Sequence, residues 1–126
     1  MSSSHKDLVV WNKAMRLVLN TYRYTKFFPR EETYGLAAQM RRAAVSIPSN
    51  IAEAKGRYSR KELLQFLVNS RGSLLELETQ IEIAKDLGYL GEVGELELAE
   101  GASEVGRMLN GMLEHFRTLA ASNTHP

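Results

Sequence analysis

The sequence predicts an all-α chain folded as an antiparallel up-down-up-down four-helix bundle. Apolar residues recur at alternating three- and four-residue steps along four long segments, the spacing of a stripe on a helix. The connectors between the segments are brief, and brief connectors join antiparallel neighbours. No strand pattern, internal repeat or low-complexity tract breaks the series. The expected body is residues 7–120. Polar tails at 1–6 and 121–126 are expected to be disordered, because they cannot bury enough surface to offset ordering.

Asp7 is a candidate cap for the first helix, whose predicted core line is Leu8, Trp11, Met15, Val18, Tyr22 and Thr25. Lys13, Arg16, Asn20 and Arg23 make its outer face basic. The helix should end near Phe27, since Pro29 disfavours helix at Phe28, and Phe27-Phe28-Pro29 should plug one end of the core. Helix two begins around Glu31, where Glu31 and Glu32 suit the positive helix end, and stops at Gly56. Its apolar stripe is Ala37, Met40, Ala44, Ile47, Ile51 and Ala54. Pro48 removes one helical N–H and crowds the carbonyl of Ala44. Because the stripe keeps its phase across the proline, one helix kinked near Pro48 is favoured over a break capped by Ser46.

Ser59 and Glu62 form a capping-box pattern that opens helix three. Its core line is Leu63, Leu67, Ser70, Leu74, Leu77, Ile81 and Ala84, and Gly88 ends it. Helix four runs from about Glu92 to Ala120, with Leu98, Ala102, Val105, Leu109, Met112, Phe116 and Leu119 inward. Gly94, Gly101, Gly106 and Gly111 weaken it, or let another helix come close.

With 44% hydrophobic and 25% charged residues, the composition is that of a soluble globular domain. No apolar run approaches the roughly 20 residues that cross a bilayer, and no secretory signal pattern opens the chain. The lack of cysteine excludes disulfides and thiolate chemistry and fits a reducing compartment, so a cytoplasmic location is expected. The histidines His5, His115 and His125 are not preceded at three residues by glutamate, which removes the di-iron pattern of helix bundles. No nucleophile elbow or phosphate-cradling glycine loop is present. The glutamates of helices three and four are best explained as a solvated acidic face. No metal, cofactor or catalytic residue is therefore assigned, and a non-enzyme is expected.

The net charge of +1 hides a division: residues 1–71 hold 13 Lys/Arg against 5 Asp/Glu, and residues 72–126 hold 3 against 10. The halves thus carry +8 and −7. Such asymmetry points to a polyanion, to packing between subunits, or to halves that neutralise each other. Candidate nucleic-acid contacts are Lys13, Arg16 and Arg23 on helix one, Arg41 and Arg42 on helix two, and Lys55, Arg57, Arg60 and Lys61 around the next turn. Neutralising several phosphates releases counterions, and Tyr58 can stack on an unpaired base. For Arg41 and Arg42 the competing reading is a salt bridge to Glu53, Glu78 or Glu82. Gln39, Ser46, Asn50 and Glu53 form a polar line on helix two, which with Pro48 is read as a subunit interface or as a hydrated surface.

The run Gln39-x-Arg41-Arg42-Ala43-x-x-Ser46-Ile47-Pro48-x-Asn50-Ile51-Ala52-Glu53, preceded by Glu32-x-Tyr34-Gly35-Leu36, resembles the four-helix-bundle proteins encoded in 23S rRNA intervening sequences. Gly72-Ser73-x-x-Glu76-Leu77, Thr79-Gln80 and Leu87-Gly88-Tyr89-Leu90 extend the resemblance over about residues 7–90. Family members commonly place glycine directly after Asn-Ile-Ala-Glu, where this chain has Ala54-Lys55 before Gly56. The resemblance implies a ring-forming bundle, typically a homopentamer. A related branch, the accessory variability determinant of diversity-generating retroelements, binds nucleic acid and its reverse transcriptase. Two functions follow as expectations. One is a non-catalytic oligomeric accessory protein that binds RNA or DNA. The other is an assembly or adaptor protein whose charged faces serve subunit contacts and a partner such as a reverse transcriptase.

Overall fold

The computed structural model of the chain describes residues 4–123. Four α-helices form a bundle: α1 (Val9–Thr25), α2 (Leu36–Lys55), α3 (Arg60–Asp86) and α4 (Glu92–Asn123). There is no strand among the described residues. Each helix packs on two others: α1 and α3 both lie against α2 and α4. The core between them is built from aliphatic side chains, including Leu17, Met40, Ile47, Ile51, Leu67, Leu74, Leu77, Leu98 and Leu109, all fully buried. Burying one such side chain contributes about 1.5–3 kcal/mol.

The chain enters α1 through a 3-10 turn, His5–Asp7, so Asp7 does not cap α1. Asp7 instead completes a capping box with Ser4, and the α1 N-cap is Leu8 without a side-chain bond. Asn12 Nδ2 ties the turn down by donating to the carbonyls of Lys6 (2.9 Å) and Leu8 (3.0 Å). Of the two expected tails, residues 1–3 and 124–126, His125 included, lie outside the described residues. His5–Asp7 forms this turn with Ser4 as its cap, and α4 continues to Asn123.

The face that α1 buries differs from the expected line. Val10, Ala14, Leu17 and Thr21 are at the centre, with Val18 and Thr25 beside them, while Leu8, Trp11 and Met15 are half-buried and Tyr22 is exposed. Asn20, expected on the outer face, is also buried. The reason is that α1 meets two neighbours: the smaller residues face the bundle axis, and Trp11 and Met15 flank them toward α2. Polar Thr21 and Thr25 are tolerated inside because each hydroxyl donates to a carbonyl one turn back, Leu17 and Thr21 respectively, both at 2.7 Å.

Phe28 plugs the end of the bundle as expected, its ring 5.3 Å from that of Tyr89, but Phe27 is 77% exposed. A second 3-10 turn (Arg30–Glu32) delays α2 to Leu36, later than Glu31. Glu32 still serves the helix: its Oε1 accepts the Leu36 N–H at 3.0 Å and its Oε2 the Tyr89 hydroxyl at 3.2 Å. The carboxylate fits there because residue 35 is glycine, whose added Cβ would lie 2.6 Å from Oε1. The α2 stripe is buried in full, and the helix is continuous through Pro48 to Gly56. Ser59 Oγ accepts the Glu62 N–H at 3.0 Å and so starts α3. Ser70, the polar member of the α3 line, donates to the Ile47 carbonyl at 2.9 Å. Gly88, at φ 77°, ends α3 with paired bonds from Tyr89 N–H to Ala84 and from Gly88 N–H to Lys85, both 2.9 Å. In α4 the inner line shifts at its end to Leu113, leaving Met112 and Phe116 partly buried and Leu119 exposed.

Candidate nucleic-acid interface

Two of the three α1 cations are engaged by α4. Lys13 Nζ is 3.1 Å from Glu104 Oε1, and Arg23 Nη1 is 3.8 Å from Glu97 Oε1. Glu97 also accepts the Tyr24 hydroxyl. That hydrogen bond, followed by desolvation and the carboxylate charge, raises the Tyr24 pKa. The seam closes tightly because Gly94 of α4 faces Tyr24: a Cβ at 94 would lie 2.8 Å from the ring. Lys85 and Glu95 add a pair at 3.3 Å at the α3–α4 end, where the bond to Glu95 and the nearby Glu82 raise the lysine pKa. Arg16 is exposed and has no ion pair among the described residues.

The turn from α2 into α3 differs. Lys55 and Lys61 are exposed and make no ion pair among the described residues, and the Tyr58 side chain is wholly in solvent. The two arginines between the lysines lie against aromatic rings. Arg57 pairs with Glu53, one turn back, and its guanidinium lies 4.5 Å from the Phe66 ring centroid. Arg60 is half-buried, 5.9 Å from the Phe116 ring centroid, and its Nη1 has no hydrogen-bond partner among the described residues. Gly56, which stops α2, and Ser59, which starts α3, leave a connector that projects Lys55, Tyr58 and Lys61 outward at one end of the bundle.

Arg41 and Arg42 separate. The salt bridges considered for them, to Glu53, Glu78 or Glu82, do not form. Arg41 Nε donates to Thr25 Oγ1 at 2.8 Å, and its guanidinium stacks over the Tyr22 ring at 4.7 Å. Arg42 is exposed. Together with Tyr22 and Tyr34 the two arginines border an open groove of about 710 Å³. Tyr22 sits on the expected core line of α1 and Tyr34 in the Glu32-x-Tyr34-Gly35-Leu36 run, and neither pattern by itself points to this groove.

Of the five residues read as one interface, Gln39 and Ser46 border one open groove with Arg42, Ser73 and Glu76. Gln39 and Glu53 are exposed, while Ser46 and Asn50 are half-buried and bonded within the chain. Asn50 Nδ2 donates to the Ser46 carbonyl and hydroxyl at 2.8 and 3.0 Å, and Ser73 of α3 donates to Ser46 Oγ at 2.7 Å. Pro48 lies on another line, in an apolar hollow of about 270 Å³ with Trp11, Met15, Val18, Val45 and Ala52. No group of three His, Asp or Glu among the described residues is placed to hold a metal, and no described helix is long and apolar enough to cross a membrane.

Comparison with known proteins places this bundle in a family. The model of the 23S rRNA-intervening sequence protein matches residues 6–111. A crystal structure from Bacteroides thetaiotaomicron, of a protein with unknown function from the S23 ribosomal protein family, is similar with a TM-score of 0.78. The identity is 21%, over 83% of this chain and 98% of that one, a likeness of fold alone. No curated protein matches. The chain belongs to the 23S rRNA-intervening sequence protein family.

Proposed function

We propose that this member of the 23S rRNA-intervening sequence protein family is a non-catalytic, oligomeric nucleic-acid-binding accessory protein of an rRNA intervening sequence or retroelement. The observation that carries the reading is the α2–α3 turn, where Lys55 and Lys61 are exposed and make no ion pair among the described residues, and Tyr58 is in solvent between them. Ammonium groups so placed neutralise backbone phosphates and release counterions, while an exposed tyrosine offers a stacking face to any base. The helices run alternately up and down in this reading, as the pairing of Lys13 with Glu104 and of the later Arg23 with the earlier Glu97 supports. Pro48 bends α2.

The oligomer, a pentamer in this reading, finds support in apolar surface that one chain leaves uncovered. The hollow around Trp11 and Pro48 is lined almost entirely by apolar groups, and Val93 and Leu96 are 74% and 60% exposed. The competing adaptor role, with a reverse transcriptase as partner, relies on the charge division. The α1–α4 pairs already satisfy part of that division within one chain, so phosphate binding is preferred.

The test is fluorescence anisotropy with labelled single- and double-stranded RNA and DNA over a salt series, on samples whose mass is read by light scattering. Binding should be largely independent of sequence. Log K should fall with log salt by about 0.9 per duplex phosphate neutralised, or about 0.7 on single strands. The mass should be several times the 14.2 kDa of one chain. A protein that binds none of the four probes at low salt refutes the reading, and a monomer refutes the oligomer.

A further inference from the structure

We propose that the groove between α1, the residues just before α2 and the first turns of α2 is a seat for one unpaired nucleotide: its base stacks on Tyr34 and its phosphate meets Arg42. The inference rests on the nucleic-acid reading above and adds a preference for single strands at a second place on the molecule. Arg42 and Lys55 are both on α2, and the helical rise between them is about 20 Å.

Four observations converge on this groove. Its lining includes Tyr22, Thr33, Tyr34, Arg41, Arg42 and Val45, and it contains no carboxylate, so nothing in it repels a phosphate. Its volume of about 710 Å³ is within the roughly 300–1,000 Å³ of sites that hold small molecules. Tyr34 is 94% exposed, an aromatic face that the fold leaves unused. Arg41 is held in place before any ligand arrives, by Thr25 Oγ1 at Nε and by the Tyr22 ring beneath it. Its Nη donors make no hydrogen bond to a described residue, so a preorganised guanidinium lies beside the exposed charge of Arg42. Planar guanidinium and aromatic faces accept any base, whereas a duplex keeps its bases stacked on one another and cannot offer one. The acceptor is itself fixed, because Thr25 Oγ1 donates to the Thr21 carbonyl at 2.7 Å.

The experiment compares an oligouridylate, an abasic strand with the same number of phosphates, and an RNA duplex of equal length. The proteins are the parent, Tyr34→Ala and Arg42→Gln. The parent should bind the oligouridylate more tightly than the abasic strand. Tyr34→Ala should weaken oligouridylate binding roughly 5- to 150-fold, the range for loss of one stacked base, and leave the abasic strand and duplex unchanged. Arg42→Gln should lower the single-strand salt slope by about 0.7. Tyr34 is outside the core, so the variant should melt with the parent. Equal binding of all three probes by the parent overturns the nucleotide seat while leaving the phosphate reading intact. Binding of none overturns both. A Tyr34→Ala protein with parental oligouridylate affinity but a changed mass by light scattering also overturns the seat, and assigns the groove to a contact between chains.

Discussion

Lys13 and Arg23 on α1, and Lys55 and Lys61 around the α2–α3 turn, are cations of the same basic half of the chain, and all four are exposed. Their neighbours differ. The first two face the glutamates of α4 across a seam closed by Gly94 and Tyr24. The second two flank a connector, Lys55 at the end of α2 and Lys61 in the first turn of α3, and make no ion pair among the described residues. The comparison teaches that a charge excess along the chain is not yet a binding surface. What remains for a partner is the part that intramolecular pairing has not already screened.

Breaking the seam should give the largest effect. Gly94→Val forces carbon atoms against a Tyr24 ring that is tethered to Glu97, an overpacking that typically costs about 1–3 kcal/mol. Gly111→Val is the control, because an added Cβ there meets nothing within 4 Å. Thermal melts should show a clear loss for the first and little change for the second. Equal melting temperatures would mean that the seam yields more easily than its distances suggest.

A matched pair of charge removals sharpens the contrast. Lys55→Gln with Lys61→Gln, and Lys13→Gln with Arg23→Gln, each remove two positive charges. The turn variant should flatten the salt slope of duplex binding by about 1.8, two phosphates' worth, whereas the seam variant should scarcely change it. The seam variant should instead lose a little stability, up to about 1 kcal/mol per exposed pair. If both variants lower the slope alike, net charge alone governs binding and the turn has no special role.

The smallest effect is the pH response of the seam. The Tyr24 pKa is raised in the folded chain, first by its bond to Glu97, so the tyrosine stabilises the fold below the unfolded value of about 10. That contribution is lost as pH rises through the folded pKa, where a phenolate would face the Glu97 carboxylate. Tyr24→Phe should therefore melt below the parent at neutral pH, with the gap closing above about pH 10. A gap that stays constant to strongly alkaline pH would show that the hydroxyl stabilises nothing through Glu97.

Local pattern alone determined much of this molecule. The number of helices, the α2 stripe from Ala37 to Ala54, the Ser59 start of α3 and the Gly88 stop all followed from the 3.6-residue period and from capping chemistry, which involve residues a few positions apart. The family was legible in the Arg-Arg to Asn-Ile-Ala-Glu run. Three things were decided only by tertiary structure. The first was which of two adjacent apolar lines on α1 is innermost: Trp11 and Met15 look like core by size, but α2 and α4 leave the axis to Val10, Ala14 and Leu17. The second was that the Ser46 hydroxyl is bonded to Asn50 within α2 and to Ser73 across to α3. The third was which cations are free, because the partner of a charge can lie far away in sequence: Lys13 meets Glu104 of the last helix. Periodicity repeats within a helix and can be read one segment at a time. Pairing between helices depends on their rotation and axial register, which are settled when the whole core packs at once.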